Sequence, residues 1–436
     1  MKVSGRTAAS IAASLEQHLH AGRRGAGDAL PTVRDLAATL NVSPATVAAA
    51  YKMLRARGLV AGRGRRGTRV AAAPTAHVQV PSRPLPVGVV DLATGNPDAA
   101  LLPLVGRALH AIEHEVRLYG ERAERGGLVA FASAEFEADG IPARAVAVLS
   151  GAMDAIERVL REHLRPGDGV ALEDPSFPGV TDLVAASGYA AMPFTMDHDG
   201  PFPAALHAAI ARGCRAVIVT PRAQNPTGAA LSAGRAVELK RALRGFPDVL
   251  LIENDYAAPV AGAPFRTLRD DSRGRWVVIR STSKFLGPDL RVALVAGDDL
   301  TITRVRGRHA LGARWVSHIL QQLTLALWSD PSSGRLLARA GEIYTQRRVA
   351  ALAALREHGI DTRAASGFNL WIPVRDEAHV VQAMAERGWA VAAGQRFRIR
   401  SEPGIRVTIS TLPPADAGRL AGDLASALRP ARAVSA

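Results

Sequence analysis

The chain is 436 residues long and 48% hydrophobic, which excludes a disordered protein and leaves room for two or three domains. Its one cysteine, Cys214, excludes an intrachain disulfide framework and fits a reducing cytoplasm. No run approaches the about 18–20 uninterrupted apolar residues of a membrane helix, and the N-terminus lacks an apolar signal core, so a soluble cytoplasmic protein is expected. The net charge of +14 is concentrated at one end, since residues 1–70 hold 12 Lys or Arg against three Asp or Glu. A basic head on a nearly balanced body points to a polyanionic partner for the head.

In the head, Ile11, Leu15 and Leu19 recur at helical spacing, and Val33, Leu36 and Leu40 do so again. Pro31 is expected to open the second of these helices. A third helix begins with Ser43 as N-cap and Pro44 at its first position, has Val47, Tyr51 and Leu54 as its inner stripe, and stops at Gly58. "LVAGRGRRGTRV" then reads as two short strands around a basic turn. Three helices and a basic hairpin make a winged helix-turn-helix. Its third helix would present Ser43, Ala45 and Thr46 to the major groove. Arg34 and the wing residues Arg63, Arg65 and Arg66 would meet phosphate or the minor groove.

Residues 30–70 resemble the GntR family of bacterial regulators, with Thr32 for the usual Ser and Arg65 for the first wing Gly. The resemblance implies binding to double-stranded operator DNA. After the head (1–70), residues 71–90 carry four prolines and read as a semi-extended linker.

Beyond the linker, apolar runs such as "AVAVLSG", "AVIVTP", "VLLIENDY", "WVVIRST" and "RVALVAG" alternate with helical patterns. This predicts an α/β domain with a mixed, mostly parallel sheet and ligands at the carboxyl ends of its strands. One lysine stands at such an end. Of 54 basic residues only Lys2, Lys52, Lys240 and Lys284 are lysine, so Lys284 invites a chemical reading. An amine can lose its proton and attack a carbonyl, whereas a guanidinium stays charged.

The order of Lys284 with Asn225, Tyr256, Ser281 and Arg291 resembles the fold-type I pyridoxal 5'-phosphate (PLP) enzymes of the aspartate aminotransferase superfamily. The resemblance implies a large domain over 91–334 and a small α/β domain over 335–436. It implies that Lys284 forms a Schiff base with PLP and that Asn225 and Tyr256 hydrogen-bond the ring's phenolic oxygen. Ser281, Ser283, Arg291 and the N–H groups at Gly151, Ala152 and Met153 would bind the phosphate, and Phe177 would stack on the ring. Arg406 would clamp a carboxylate, with Arg398 as a nearby competitor. Where the family has an Asp facing the pyridine nitrogen, the matching residue here is Asn254, and Asp255 stands next to it; which of the two faces the nitrogen is open at this point. Leu128-Val129 and Ala293 depart from the family's pattern as well, which points to poor transamination.

Head, linker and body together resemble the MocR subfamily of GntR regulators. The resemblance implies a transcription regulator that senses PLP, or PLP with an amino compound, and a head-to-tail homodimer. It carries no metal site. The alternatives are a PLP-dependent aminotransferase with a DNA-binding head, and a DNA-binding protein whose body is an inert dimerisation scaffold.

Overall fold

The computed structural model describes residues 3–20, 27–56, 59–62, 67–70, 85–112 and 116–429. By its internal contacts the chain divides into two compact units, residues 1–81 with 164–170 and 181–191, and residues 82–163 with 171–180 and 192–436. The expected wing arginines Arg63, Arg65 and Arg66, and residues 71–84 of the linker, lie outside the described residues.

The head holds helices α1 (Ala8–His20), α2 (Val33–Leu40) and α3 (Pro44–Ala56), followed by β1 (Val60–Gly62) and β2 (Thr68–Val70). The predicted stripes meet in one core: Ile11, Leu15, Val47, Tyr51 and Leu54 are fully buried. β1 and β2 pair antiparallel, with Val60 opposite Val70. Ala29 bridges to Arg69 on the far side of β2.

Helix α2 starts later than Pro31 predicts. Thr32 is the N-cap, accepting from the Asp35 amide at 3.2 Å and donating to the Asp35 carboxylate at 2.7 Å. This reciprocal cap satisfies the free amides of the first turn better than a proline could. Pro31 stays outside the helix, and its carbonyl accepts from the Tyr51 hydroxyl at 2.7 Å. Asn41 ends the helix in the left-handed region, at φ 52°.

The body opens with β3 (Val90–Leu92), α4 (Val105–Ala111) and α5 (Gly126–Ala138). Next come β4 (Val146–Leu149), α6 (Ala152–His163), β5 (Gly169–Asp174), α7 (Pro178–Ala186), β6 (Ala190–Asp197) and β7 (Gly200–Pro201). They are followed by α8 (Pro203–Ala211), β8 (Cys214–Val219), α9 (Ala233–Arg244), β9 (Leu250–Asp255), β10 (Trp276–Ser281) and β11 (Ala293–Gly297). β4 to β11 form one eight-stranded sheet in the order β4-β11-β10-β9-β8-β5-β6-β7. β8, β9 and β10 run parallel, and β11 runs against both of its neighbours. β9, β10 and β11 are buried along their whole length, as strands covered on both faces are.

The chain continues through α10 (Asp299–Leu311), α11 (His318–Ser329) and the 27-residue α12 (Pro331–Glu357). It ends with β12 (Asn369–Pro373), α13 (Glu377–Glu386), β13 (Trp389–Ala393), β14 (Gly404–Thr408) and α14 (Ala417–Leu428). The second sheet has the order β12-β14-β13-β3. Here the structure departs from the expected partition at residue 91. β3 pairs parallel to β13, Val90 beside Trp389, so the chain enters the body through the smaller sheet. α12 also runs unbroken through the expected boundary at 334–335.

Candidate functional site

On the head, Ser43 and Ala45 are exposed at the start of α3, and Arg34 is exposed on α2. Thr46 is half-buried: its amide donates to the Ser43 hydroxyl at 3.1 Å, and the two hydroxyls lie 2.8 Å apart. The exposed side of α3 also carries Ala48, Ala49 and Lys52, which the helix-start reading did not single out.

In the body, the register places the predicted residues at one edge of the large sheet. Leu149, Ala293 and Ser281 are aligned across β4, β11 and β10. Gly151 and Arg291 therefore meet just beyond that edge. Gly151 has φ 93°, and a Cβ there would stand 2.8 Å from an Arg291 guanidinium nitrogen. Ala152 starts α6 directly after it, with Met153 half-buried in the first turn. The free amides and dipole of a helix start, a guanidinium and the paired Ser281 and Ser283 hydroxyls, 3.0 Å apart, form a set of donors suited to a phosphate.

Lys284 follows the Ser281 strand end. Its Nζ donates to the Gly95 carbonyl at 2.8 Å. Burial, and secondarily the Arg406 charge, push its pKa down to about 8, which raises the neutral, nucleophilic share near neutral pH well above that of an ordinary lysine. Arg406, on β14, is buried; burial pushes it down to about 10. It donates to the Ala93 carbonyl and, at 3.3 Å, to Asn225 Oδ1, and it packs over the Phe397 ring at 4.8 Å. Its Nε has no partner among the described residues. Arg398 is engaged elsewhere, with Glu377 at 2.8 Å.

Asn254 and Asp255 have separate fates. Asp255 is completely buried and takes both nitrogens of the Arg222 fork at 2.8 Å and Arg280 Nε at 3.0 Å. Burial alone would raise its pKa, but Arg222 and Arg280 hold it below the ordinary value. Arg280 also binds Asp139 and the Glu135 carbonyl. Asp255 is thus taken up in an ion network and is not available to a ring nitrogen. Asn254 has a buried Oδ1 with no partner among the described residues. Such an atom is costly to leave alone and marks a place for a ligand group.

Tyr256 donates its hydroxyl to the Ala223 carbonyl, and burial raises its pKa. Phe177 follows β5 and is half-buried, with its ring folded against Gly179. The segment 93–96 was missed from sequence, because its part in the site is played by backbone carbonyls; the turn glycine Gly95 was the one available signal.

These residues fit PLP on two observations of the structure. The buried Asn254 amide, whose Oδ1 has no partner among the described residues, is left for a ring group, with its NH2 as the donor an unprotonated ring nitrogen needs, and the Gly151–Arg291 cradle has no room for a Cβ. Among the described residues, no group of three or more His, Cys, Asp or Glu could hold a metal, and no helix is long and apolar enough to cross a membrane.

Fold and site define a class: a winged helix-turn-helix joined to an aminotransferase-type body. The chain belongs to the family "Aminotransferase class I and II" over residues 87–424, and residues 7–70 match "Bacterial regulatory proteins, gntR family", the two-part layout of the MocR regulators. It is a DNA-binding transcriptional regulator with PLP as its cofactor.

The chain is 39% identical over 429 residues to the vitamin B6 salvage pathway transcriptional repressor PtsJ of Salmonella typhimurium, covering 98% of this chain and 99% of that one. It is 27% identical over 340 residues to the HTH-type pyridoxine biosynthesis transcriptional regulator PdxR of Corynebacterium glutamicum, covering 74% and 73%. In fold, the body is like the multiple substrate aminotransferase of Thermococcus profundus, with TM-score 0.72, 20% identity, and coverage of 79% of this chain and 92% of that one.

Proposed function

We propose that the protein is a sensor of PLP that adjusts the transcription of genes of vitamin B6 or amino-compound metabolism. The observation that carries this reading is the buried Lys284 amine, beside Arg406 and at the sheet edge where Asn254 lies, in a chain that also bears a DNA-binding head. The roles of PtsJ in vitamin B6 salvage and of PdxR in pyridoxine biosynthesis support it.

PLP supplies an aldehyde with which an amine condenses, and a pyridine ring that can take up electrons when protonated. The chain's own residues hold and orient it. Arg291, Ser281 and the amides after Gly151 bind the phosphate, and Ser283 supports Ser281. Lys284 offers the amine. Asn225 and Tyr256 lie beside Arg406, which receives a carboxylate from an amino-acid effector. Asn254 faces the ring nitrogen as a neutral amide, which cannot hold a proton there by charge. With Asp255 locked to Arg222 and Arg280, no carboxylate replaces it. This favours binding over turnover.

A homodimer in the cytoplasm completes the reading. Leu104, Val116, Leu118, Tyr119 and Leu311 leave large apolar areas exposed, with Tyr119 edge-on to Trp315 at 5.6 Å. A second copy of the chain is an occupant that such exposed apolar groups suit. The linker permits direct or inverted half-sites.

The test is a PLP titration of the full chain with and without a DNA duplex that it binds, at fixed salt. PLP can regulate only by binding the DNA-competent and incompetent forms unequally, so the duplex must change PLP affinity by the same factor as PLP changes duplex affinity. Identical affinities would remove PLP as the effector. Sustained turnover with amino and keto acids would favour the aminotransferase reading, to which the Arg406–Asn225 pair lends itself.

A further inference from the structure

The segment Ala93–Asp98 is held at both ends by contacts of different kinds. At its start, the Ala93 carbonyl accepts from Arg406 and the Gly95 carbonyl accepts from Lys284 Nζ. These are two of the pocket's cations, Arg291 being the third. At its end, the Asn96 carbonyl accepts from Ser410 Oγ at 2.6 Å, Arg347 pairs with Asp98 at 2.8 Å, and the Asp98 amide donates to the Tyr344 hydroxyl at 3.0 Å. None of these later partners belongs to the pocket. Gly95 is needed for the close approach: its φ is 71°, and a Cβ would stand 3.0 Å from an Arg406 nitrogen.

We infer that residues 93–96 are an internal strap that occupies two of the pocket's cations in place of ligand and is released when PLP and a carboxylate engage them; this rests on the pocket reading above. When the Lys284 nitrogen condenses with an aldehyde, a C=N bond forms, the aldehyde oxygen leaves as water, and the nitrogen keeps at most one proton. The bond to Gly95 is then lost. A carboxylate on Arg406 displaces the Ala93 carbonyl by the same competition, a charged acceptor against a neutral one.

The strap is also the segment best placed in the chain to report occupancy. It follows β3 directly, and β3 is the first strand after the linker from the head. Asp91, on β3, holds the strap's entrance: its carboxylate accepts from the Ala93 and Thr94 amides at 2.8 and 3.0 Å and from the Thr94 hydroxyl at 2.6 Å. A loosened strap therefore loosens the contacts of β3 itself.

The experiment is amide hydrogen exchange of the full chain, followed over residues 90–98, with and without PLP, alongside borohydride reduction to locate the PLP adduct. The Ala93 and Thr94 amides should exchange about tenfold faster with PLP, as expected for losing one charge-assisted bond, while the Asp98 amide stays unchanged. Lys284→Ala and Arg406→Gln should each raise the same exchange without any ligand. Asp91→Asn should leave PLP trapped on Lys284 but abolish the PLP-dependent change at Ala93 and Thr94. An adduct on Lys284 with exchange unchanged to within about twofold overturns the strap and leaves the pocket standing. An adduct on another lysine overturns the pocket reading and the strap with it.

Discussion

Arg291 packs directly on Gly151, so close that a Cβ at the glycine would lie 2.8 Å from a guanidinium nitrogen. The contact joins the end of β4 to the start of β11 and leaves the guanidinium fork beside the first amides of α6. Gly151→Ala places a methyl group there at φ 93°, which L residues rarely adopt. Both Gly151→Ala and Arg291→Ala should weaken PLP about tenfold or more, since one charge-assisted hydrogen bond contributes roughly 1.5–3 kcal/mol. Titration followed by visible absorbance measures this. Wild-type affinity in Arg291→Ala would remove that residue from the site.

Lys284 should react as an amine of pKa about 8, because burial first and the Arg406 charge second favour its neutral form. The rate of adduct formation with PLP should rise with pH through about 8 and then level off. An exposed lysine would keep rising to about 10.4. Arg406→Gln should move the midpoint upward. Stopped-flow absorbance across pH decides between the two profiles, and a rate that climbs without a plateau near 8 would count against a buried amine.

Asp255 and Asn254 should separate stability from ligand binding. Asp255→Asn leaves Arg222 and Arg280 buried without their main counter-charge, a loss on the order of 3–5 kcal/mol. Denaturant unfolding of the two single variants checks this. Asn254 has an Oδ1 with no partner among the described residues, so Asn254→Ala should change stability far less while altering the spectrum of bound PLP. Equal destabilisation by both would mean that the network contributes little.

Glu253 is fully buried, accepts from the Thr267 hydroxyl and the Leu268 amide, and desolvation raises its pKa to about 7. Below pH 4.5 it is protonated folded or unfolded. Between there and 7 only the folded state keeps the proton, so its contribution to stability falls as pH rises through that window. Glu253→Gln removes the penalty. Its melting temperature should exceed that of wild type at pH 8 and converge with it near pH 5. A constant offset at both pH values would mean that Glu253 does not titrate in this range.

Much of this was legible in the sequence. Apolar runs bounded by Asn225, Tyr256, Ser281 and Lys284 marked strand ends, and register does the rest. Alternation along β9 separates Asn254 from Asp255, but it does not say which faces the pocket; that follows from Arg222 and Arg280, which pair with Asp255 from 33 and 25 residues away in the chain. The strap was illegible for a related reason: backbone carbonyls carry no side-chain signature, and their partners lie 189 and 313 residues off. β3, three residues long, is too short to show a period, so its place in the smaller sheet is set by pairing alone. Thr32 shows that a short cap with a carboxylate three residues on outweighs a neighbouring proline.

The scarcity of lysine has a consequence for fidelity. PLP is a reactive aldehyde and condenses with exposed amines wherever it finds them. A guanidinium stays protonated and does not compete. A surface dressed almost wholly in arginine is therefore chemically silent towards the molecule to be measured, and the amine set apart by burial is the one that answers. Charge for holding DNA and quiet towards an aldehyde are obtained from the same side chain, so the signal is not lost in background.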